Sequence, residues 1–425
     1  MTGIRRAVLA TLLLSLAACA TPGVDPASVA DPDQAEYTEL FPYYAEICAL
    51  SQLEKKPGFG ADLQSGIGGH AGLYLNGVCR DVGAGYPVIG LCDELPEQAK
   101  TDGVGLSVNA HYANANWVAV DGKDFFFDGD LPPGAALTKQ IYRDQMEEAL
   151  RKGFLTGVRF HEEFYAGMPA GFTRAAYQYE ISVATDFAIE FGRNRFCGRV
   201  PLSRPQMLRI IHYLNALNAP YRSDEATYEW DLLQHNCAHI NHNALAAADI
   251  WDEWGTDRFV LISLVDFPVP MNEFVNLMRR TNDLPIDDLD ALFDDRPSRA
   301  LLMTDHRLPT EPGALAEFGH VRSPNEVYGT DTRILFYDDP LGSYAAHFRE
   351  ILAEPRYFRL HDNLAYFKSL YDRIIASRRP VEWYLARRPK QDRQDFMEFY
   401  DAYFSYIIDQ DLVTERQLAK TTGSR

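Results

Sequence analysis

The sequence predicts an α+β protein: an antiparallel β region, then a helix that opens on a cysteine, then a mainly helical C-terminal region. Three observations carry this. Short apolar runs separated by turn signals, Asn76-Gly77 and Asp121-Gly122 among them, cluster between residues 70 and 127. Met207, Ile210, Ile211, Leu214 and Leu217 recur at helical spacing behind Ser203-Arg-Pro-Gln206, a capping-box pattern with Pro205 in the first turn. Asn236-Cys237 stands where a second helical pattern begins.

Taken in order, Tyr37–Ser51 reads as a first helix. The run from His70 to Asp81 reads as a hairpin turning at Asn76-Gly77, with Leu73 and Leu75 on one side and His70 and Tyr74 on the other. Further strands are expected at Val104–Val108 and Trp117–Val120, with Asp121-Gly122 turning the chain into Phe125–Phe127. Residues 138–152 read as a helix and Tyr177–Ala184 as a short strand. The helix starting near Asn236 is expected to run to about Trp254 and stop at Gly255. A change of unit is expected near Val269-Pro270, beyond which residues 343–376 and 395–420 read as helical. The expected divisions are 1–18, 19–36, 37–260 and 261–425.

The 425 residues carry 46% hydrophobic and 24% charged side chains, the composition of an ordered protein with room for a sizeable core. The net charge of −19 argues against a nucleic-acid partner, which needs a basic footprint, and disfavours adhesion to anionic lipid heads. The glycines from Gly58 to Gly69 follow no strand pattern and open no helix, so they are not a dinucleotide-binding loop. The acidic cluster Asp287, Asp288, Asp290, Asp294 and Asp295 lacks the glycine of a calcium loop and reads as a solvated helix face. No cofactor is expected.

Residues 1–18 read as an export signal. Arg5 and Arg6 precede the apolar run Ala7–Ala18, which is shorter than the roughly 20 residues a membrane span needs. The run ends in Leu16-Ala-Ala-Cys19, which resembles a bacterial lipobox. That resemblance implies cleavage before Cys19 and lipidation of its thiol. With Ala20 rather than Asp following, it implies an outer-membrane lipoprotein facing the periplasm, held to the membrane through the N-terminal lipid only. Removing residues 1–18 takes away two positive charges and no negative ones, moving the net charge to −21. Residues 19–36, with Pro22, Pro26 and Pro32, then form a tether.

With Cys19 lipidated, five cysteines remain, and an odd number in an oxidising compartment leaves one thiol over. Cys79 and Cys92 flank a Pro/Gly-rich loop and are a candidate pair. Cys48 with Cys197 is then the remaining pairing that spares Cys237. Buried reduced thiols are the alternative.

Cys237 carries the chemistry. With Asn236 as N-cap, it stands at a helix N-terminus, whose unpaired N–H groups and partial positive charge favour a thiolate. Such a thiol needs a proton acceptor, and His70 at a strand start is the candidate. The pair on these elements, in the order His then Cys, resembles the circularly permuted, NlpC-like branch of the papain fold. Gly69-His70-Ala-Gly-Leu-Tyr-Leu-Asn-Gly77 is similar to the His box of lecithin retinol acyltransferase-like enzymes, and Asn236-Cys237-Ala-His239 to their Asn-Cys-Glu-His box, with Ala238 in place of Glu. The Gly-His strand, the segment Ser107-Val-Asn-Ala-His-Tyr-Ala-Asn114 and the Asn-Cys helix start resemble the bacterial "Lnb N-terminal periplasmic" domain family over about residues 60–250. The resemblance implies a permuted papain-like domain with Cys237 as nucleophile and His70 as general base and acid. It also implies a polar residue that orients His70: His111 is favoured, with Asn109 and Asn114 as alternatives. The Cys237 N–H, positioned by Asn236, would bind the oxyanion.

Two other readings stand beside this one. His235, His239 and His242 could hold zinc, but Asn236 as N-cap puts His235 outside the helix and breaks the shared face. A non-enzymatic envelope scaffold is the other. The expected function is a thiol hydrolase or acyltransferase acting on an envelope peptide or lipid.

Overall fold

The computed structural model describes residues 34–64, 69–97, 100–223, 226–231, 236–255, 269–336 and 343–421. The signal sequence, Cys19, most of the tether and His235 lie outside the described residues.

Helix α1 (Gln34–Leu40) stops ahead of Pro42, which disfavours helical geometry in the residue before it. The chain then enters strand β1 (Tyr44–Leu50), so the helix expected over 37–51 is half helix and half strand. All seven β1 residues are buried, and a strand covered on both faces shows no alternation for a sequence reading to find. Next come β2 (His70–Asn76), β3 (Val78–Arg80), β4 (Ile89–Leu91), β5 (Gly103–Ser107) and β6 (Val118–Asp121). Helices α2 (Lys123–Asp128), α3 (Lys139–Lys152) and α4 (Arg174–Ser182) precede β7 (Arg195–Pro201). Helix α5 (Arg204–Asn218) carries the expected capping box at Ser203 and Gln206. Helices α6 (Cys237–Ala246), α7 (Pro270–Asn282), α8 (Leu289–Asp294) and α9 (Arg296–Asp305) lead to β8 (Leu315–Gly319). Helices α10 (Tyr344–Ala353), α11 (Leu360–Ala376), α12 (Val381–Leu385) and α13 (Arg393–Thr421) close the chain.

The fold is mixed helix and sheet. Six strands form one antiparallel sheet in the order β6-β5-β2-β1-β7-β8. One face, with Ile47, Leu73, Leu75, Val104 and Leu106, is covered by Met207, Ile210 and Leu214 of α5 and by Ile240, Ala244 and Leu245 of α6. The other face, with Tyr44, Cys48, Tyr74, Val118 and Val120, packs on Phe125, Phe126 and Phe127 of α2. Strand β8 pairs with β7 from Arg195↔Gly319 to Arg199↔Leu315, and Phe274, Val275 and Met278 of α7 pack with Ala49 and Phe196. The boundary drawn at 260 therefore runs through one sheet.

Several expected elements differ. The turn at Asn76-Gly77 exists, with Gly77 at φ 79°, but it makes no hairpin. Both edges of β2 are taken by β1 and β5, so β3 pairs with β4 instead. Phe125–Phe127 lies in α2, a helix closed by Gly129 at φ 64°. Tyr177–Ala184 is mostly α4, started by the Thr173 hydroxyl accepting from Ala176 N–H. Helix α6 ends at Ala246, well short of Trp254. The 343–376 pattern breaks at Pro355 into α10 and α11. The acidic cluster supplies helix caps, Asp288 to Ala291 N–H and Asp295 to Ser298 N–H, and ion pairs from Asp290 and Asp294 to Arg388.

Two disulfides form, Cys48–Cys197 and Cys79–Cys92, and Cys237 is the free thiol among the described cysteines. Cys48 and Cys197 face each other across β1 and β7. Beside them Glu46, Lys123, Arg195, Arg199 and Glu317 form a buried charge network. Burial pushes Glu317 up, but Lys123, Arg195 and Arg199 outweigh it and hold the carboxyl well below the usual range. Among the described residues no helix is long and apolar enough to cross a membrane.

Candidate active site

The sheet brings three strand ends together. His70 opens β2 and is paired with Leu50 at the end of β1, which is paired with Arg195 at the start of β7. The β2–β5 register runs from Asn76↔Gly103 to Leu73↔Leu106. Helix α6 is packed against this sheet face by Ile240, Ala244 and Leu245, so its N-terminus arrives at the His70 end of β2.

The contact that joins them is a hydrogen bond from Ala71 N–H to Cys237 Sγ at 3.4 Å. Asn236 caps α6: its Oδ1 accepts from His239 N–H at 3.1 Å and lies 3.0 Å from His239 Nδ1. The backbone N–H groups of Cys237 and Ala238, at the start of α6, also favour the thiolate electrostatically. Cys237 is partly buried.

The charge state departs from the sequence expectation of a favoured thiolate. Burial pushes the Cys237 thiol up, and the three amides and the Arg193 charge pull it back without cancelling that. Burial, and secondarily Arg193, push His70 down to about 3. At neutral pH Cys237 is therefore a thiol and His70 an uncharged imidazole.

None of the three residues expected to orient His70 hydrogen-bonds to it. The His111 ring packs on Phe164 at 4.5 Å, and its backbone bonds to Asn109 Oδ1 and His161 N–H. Its pKa is lowered by burial and by His161. Among the described residues it makes no hydrogen bond or ring contact with His70 or Cys237; it packs in the aromatic cluster around Phe164 instead. Asn114 clamps a loop, donating to Gly157 O at 2.9 Å and accepting from Arg159 N–H at 2.7 Å. Asn109 donates to Asp186 Oδ2 at 3.0 Å, and Tyr112 OH lies 3.3 Å from the same oxygen. Among the described residues the His70 ring makes no hydrogen bond.

Sequence reasoning missed Arg193. It is 2% exposed, donates through Nε to Ala184 O at 3.0 Å, and holds the carbonyl of Ser51 at the end of β1. It acts electrostatically on both His70 and Cys237. No local sequence signal marks it: it is one of three arginines, with Arg195 and Arg199, between Phe187 and Val200. Buried Tyr228 also lies within electrostatic reach of Cys237.

The zinc alternative loses a ligand. The His242 ring is stacked between Trp251 and Trp254, at 4.2 and 3.9 Å, with Nδ1 2.8 Å from Glu273 and Nε2 2.9 Å from Asp252 O. Neither nitrogen is open to a metal, and His235 lies outside the described residues. A cleft of about 260 Å³ lies elsewhere, lined by Arg80, Tyr86, Lys152 and Phe154 among others; neither Cys237 nor His70 lines it. No family model, no curated protein and no solved structure matches this chain.

Proposed function

We propose that this chain is an envelope-bound thiol hydrolase or acyltransferase working through Cys237 and His70. The Ala71 N–H bond to Cys237 Sγ carries the reading, because it sets a helix-start thiol against the residue next to His70. The order of the two residues and their elements fits a permuted papain-like, NlpC-like domain of the kind the "Lnb N-terminal periplasmic" resemblance implies.

The chemistry starts from a neutral pair. His70, uncharged at neutral pH, accepts the thiol proton as sulfur attacks an ester or amide carbonyl. The tetrahedral oxyanion is received by backbone N–H groups at the start of α6. The imidazolium returns its proton to the leaving alcohol or amine as the carbon–heteroatom bond breaks, leaving a thioester on Cys237. Water or an acceptor amine or alcohol then attacks the thioester with His70 again as base, restoring the thiol. Arg193 adds positive charge where the thiolate develops. The substrate class is an envelope peptide or lipid ester, reached through export and lipidation at Cys19.

A scaffold is the second reading. The upward push on the thiol and a His70 ring without a hydrogen-bond partner among the described residues favour it. The test is acyl trapping. The chain from residue 20 is incubated with p-nitrophenyl acyl esters and digested for mass spectrometry. An adduct on Cys237 that hydroxylamine removes, and that His70→Ala slows, is expected. Full alkylation of Cys237 by iodoacetamide with no acyl adduct from any ester would leave the scaffold.

A further inference from the structure

The net charge of −19 hides a local reversal. Residues 377–393, between α11 and α13, hold six cations (Arg378, Arg379, Arg387, Arg388, Lys390 and Arg393) against two acids, Glu382 and Asp392. Arg388 is turned inward, paired with Asp290 and Asp294 and packed on Phe293 and Phe396. Arg378, Arg379, Arg387 and Lys390 are exposed and make no ion pair among the described residues. Between them Trp383 stands 42% exposed, with the Arg387 guanidinium 3.5 Å from its ring centroid. Met397, 39% exposed, lies on the first turns of α13.

Helix α12 explains the arrangement. Its inner residues Tyr384 and Leu385 pack into the core of α8, α11 and α13, where Tyr384 meets Phe396 and Tyr400. Trp383 therefore points away from that core, and Arg387, four residues on, shares its side. Tyr400 OH donates to Arg379 O at 2.6 Å and accepts from Arg378 Nε at 3.0 Å, which holds the cationic loop in place.

We propose that this loop is a docking surface for an anionic phospholipid bilayer, with Trp383 at headgroup depth. An exposed tryptophan stacked with Arg387 on a loop rich in Lys and Arg is a composition that partitions to a charged membrane interface. The acidic remainder of the chain does not prevent this. Charges beyond about 8 Å are screened at physiological salt; of the nearer acids, Asp290 and Asp294 pair with Arg388, and Glu382 and Asp392 still leave the loop net cationic. Each such cation contributes about 1 kcal/mol, or about fivefold in partitioning. The contact would add to the lipid anchor expected at Cys19, and it is testable without that anchor.

The chain from residue 20 is sedimented with phosphatidylglycerol vesicles and with phosphatidylcholine vesicles. Binding to the first and not the second, lost at high salt, is expected. Arg379→Gln, Arg387→Gln and Lys390→Gln together should weaken it about a hundredfold. Trp383→Ala should weaken it separately, with circular dichroism unchanged in both variants. Equal binding to the two vesicles, or wild-type binding by the triple variant, would overturn the proposal. Retention on poly-glutamate without vesicle binding would overturn it in favour of an acidic protein partner.

Discussion

The backbone N–H of Ala71 donates to the sulfur of Cys237 across 166 residues of chain. That bond ties the strand bearing His70 to the start of α6, so the thiol environment should report on both elements. Burial dominates there and holds the thiol above its ordinary value. The rate of Cys237 alkylation by iodoacetamide should therefore rise with a midpoint above the free-cysteine value of about 8.5. A midpoint below that value would show that the helix N-terminus outweighs desolvation.

Arg193 supplies the side-chain charge that lowers that midpoint. Arg193→Gln removes a positive charge felt by both His70 and Cys237. The alkylation midpoint is expected to move further up, and Arg193→Lys should restore part of the difference. The same change strips a charged donor from the Ser51 and Ala184 carbonyls, so a stability loss of about 1–3 kcal/mol in urea is expected. Equal midpoints in all three proteins would remove Arg193 from the site.

Acid should destabilise the fold partly through His70. Its native pKa is pushed down to about 3, whereas an exposed histidine protonates near 6.5. Between these values the unfolded chain binds a proton that the native protein refuses, so stability falls as pH falls. The contribution is fully present above pH 6.5 and is lost progressively down to about pH 3. His70→Asn should flatten the dependence of Tm on pH across that window. An unchanged slope would place the ring in water.

The Asn236 cap should be worth more to the site than its small size suggests. Asn236→Ala removes the acceptor for His239 N–H and should cost about 0.5–2 kcal/mol. Asn236→Asp keeps an acceptor and should recover most of that. The cap holds the first turn that carries Cys237, so the alanine variant should also alter the alkylation rate. A stability loss with unchanged alkylation would separate the cap from the site.

The two disulfides should differ in worth. Cys48–Cys197 closes 149 residues and Cys79–Cys92 closes 13. In the chain-entropy account their removal costs about 5 and about 3 kcal/mol. Paired Cys→Ala variants in urea melts test that order. The reverse order would mean that packing around β3 and β4, not chain entropy, sets their value.

Elements with local chemistry were legible in the sequence. The Ser203–Gln206 capping box, the Asn236 cap, strands β5 and β6 and helix α3 stand close to where the residues place them. Elements whose pattern is erased by burial were not. Tyr44–Leu50 is covered on both faces and Phe125–Phe127 is wholly buried, so neither shows a period. The apolar run Tyr177–Ser182 has a strand's length and composition, but the Thr173 cap four residues upstream starts a helix that includes it.

The same division runs through the candidate site. Local sequence alone determined that a cysteine follows an N-cap and that a histidine opens a strand, because caps and strand starts depend on a few adjacent residues. Which residues gather around that cysteine was decided by the sheet. The antiparallel register sets His70 beside Leu50 and brings Arg193 to the end of β1, while His111 packs against Phe164. Strand register and side-chain burial join residues more than a hundred positions apart, and nothing in a local stretch of chain encodes them. The upward push on Cys237 and the downward push on His70 arise from that burial, so they too belong to the tertiary structure.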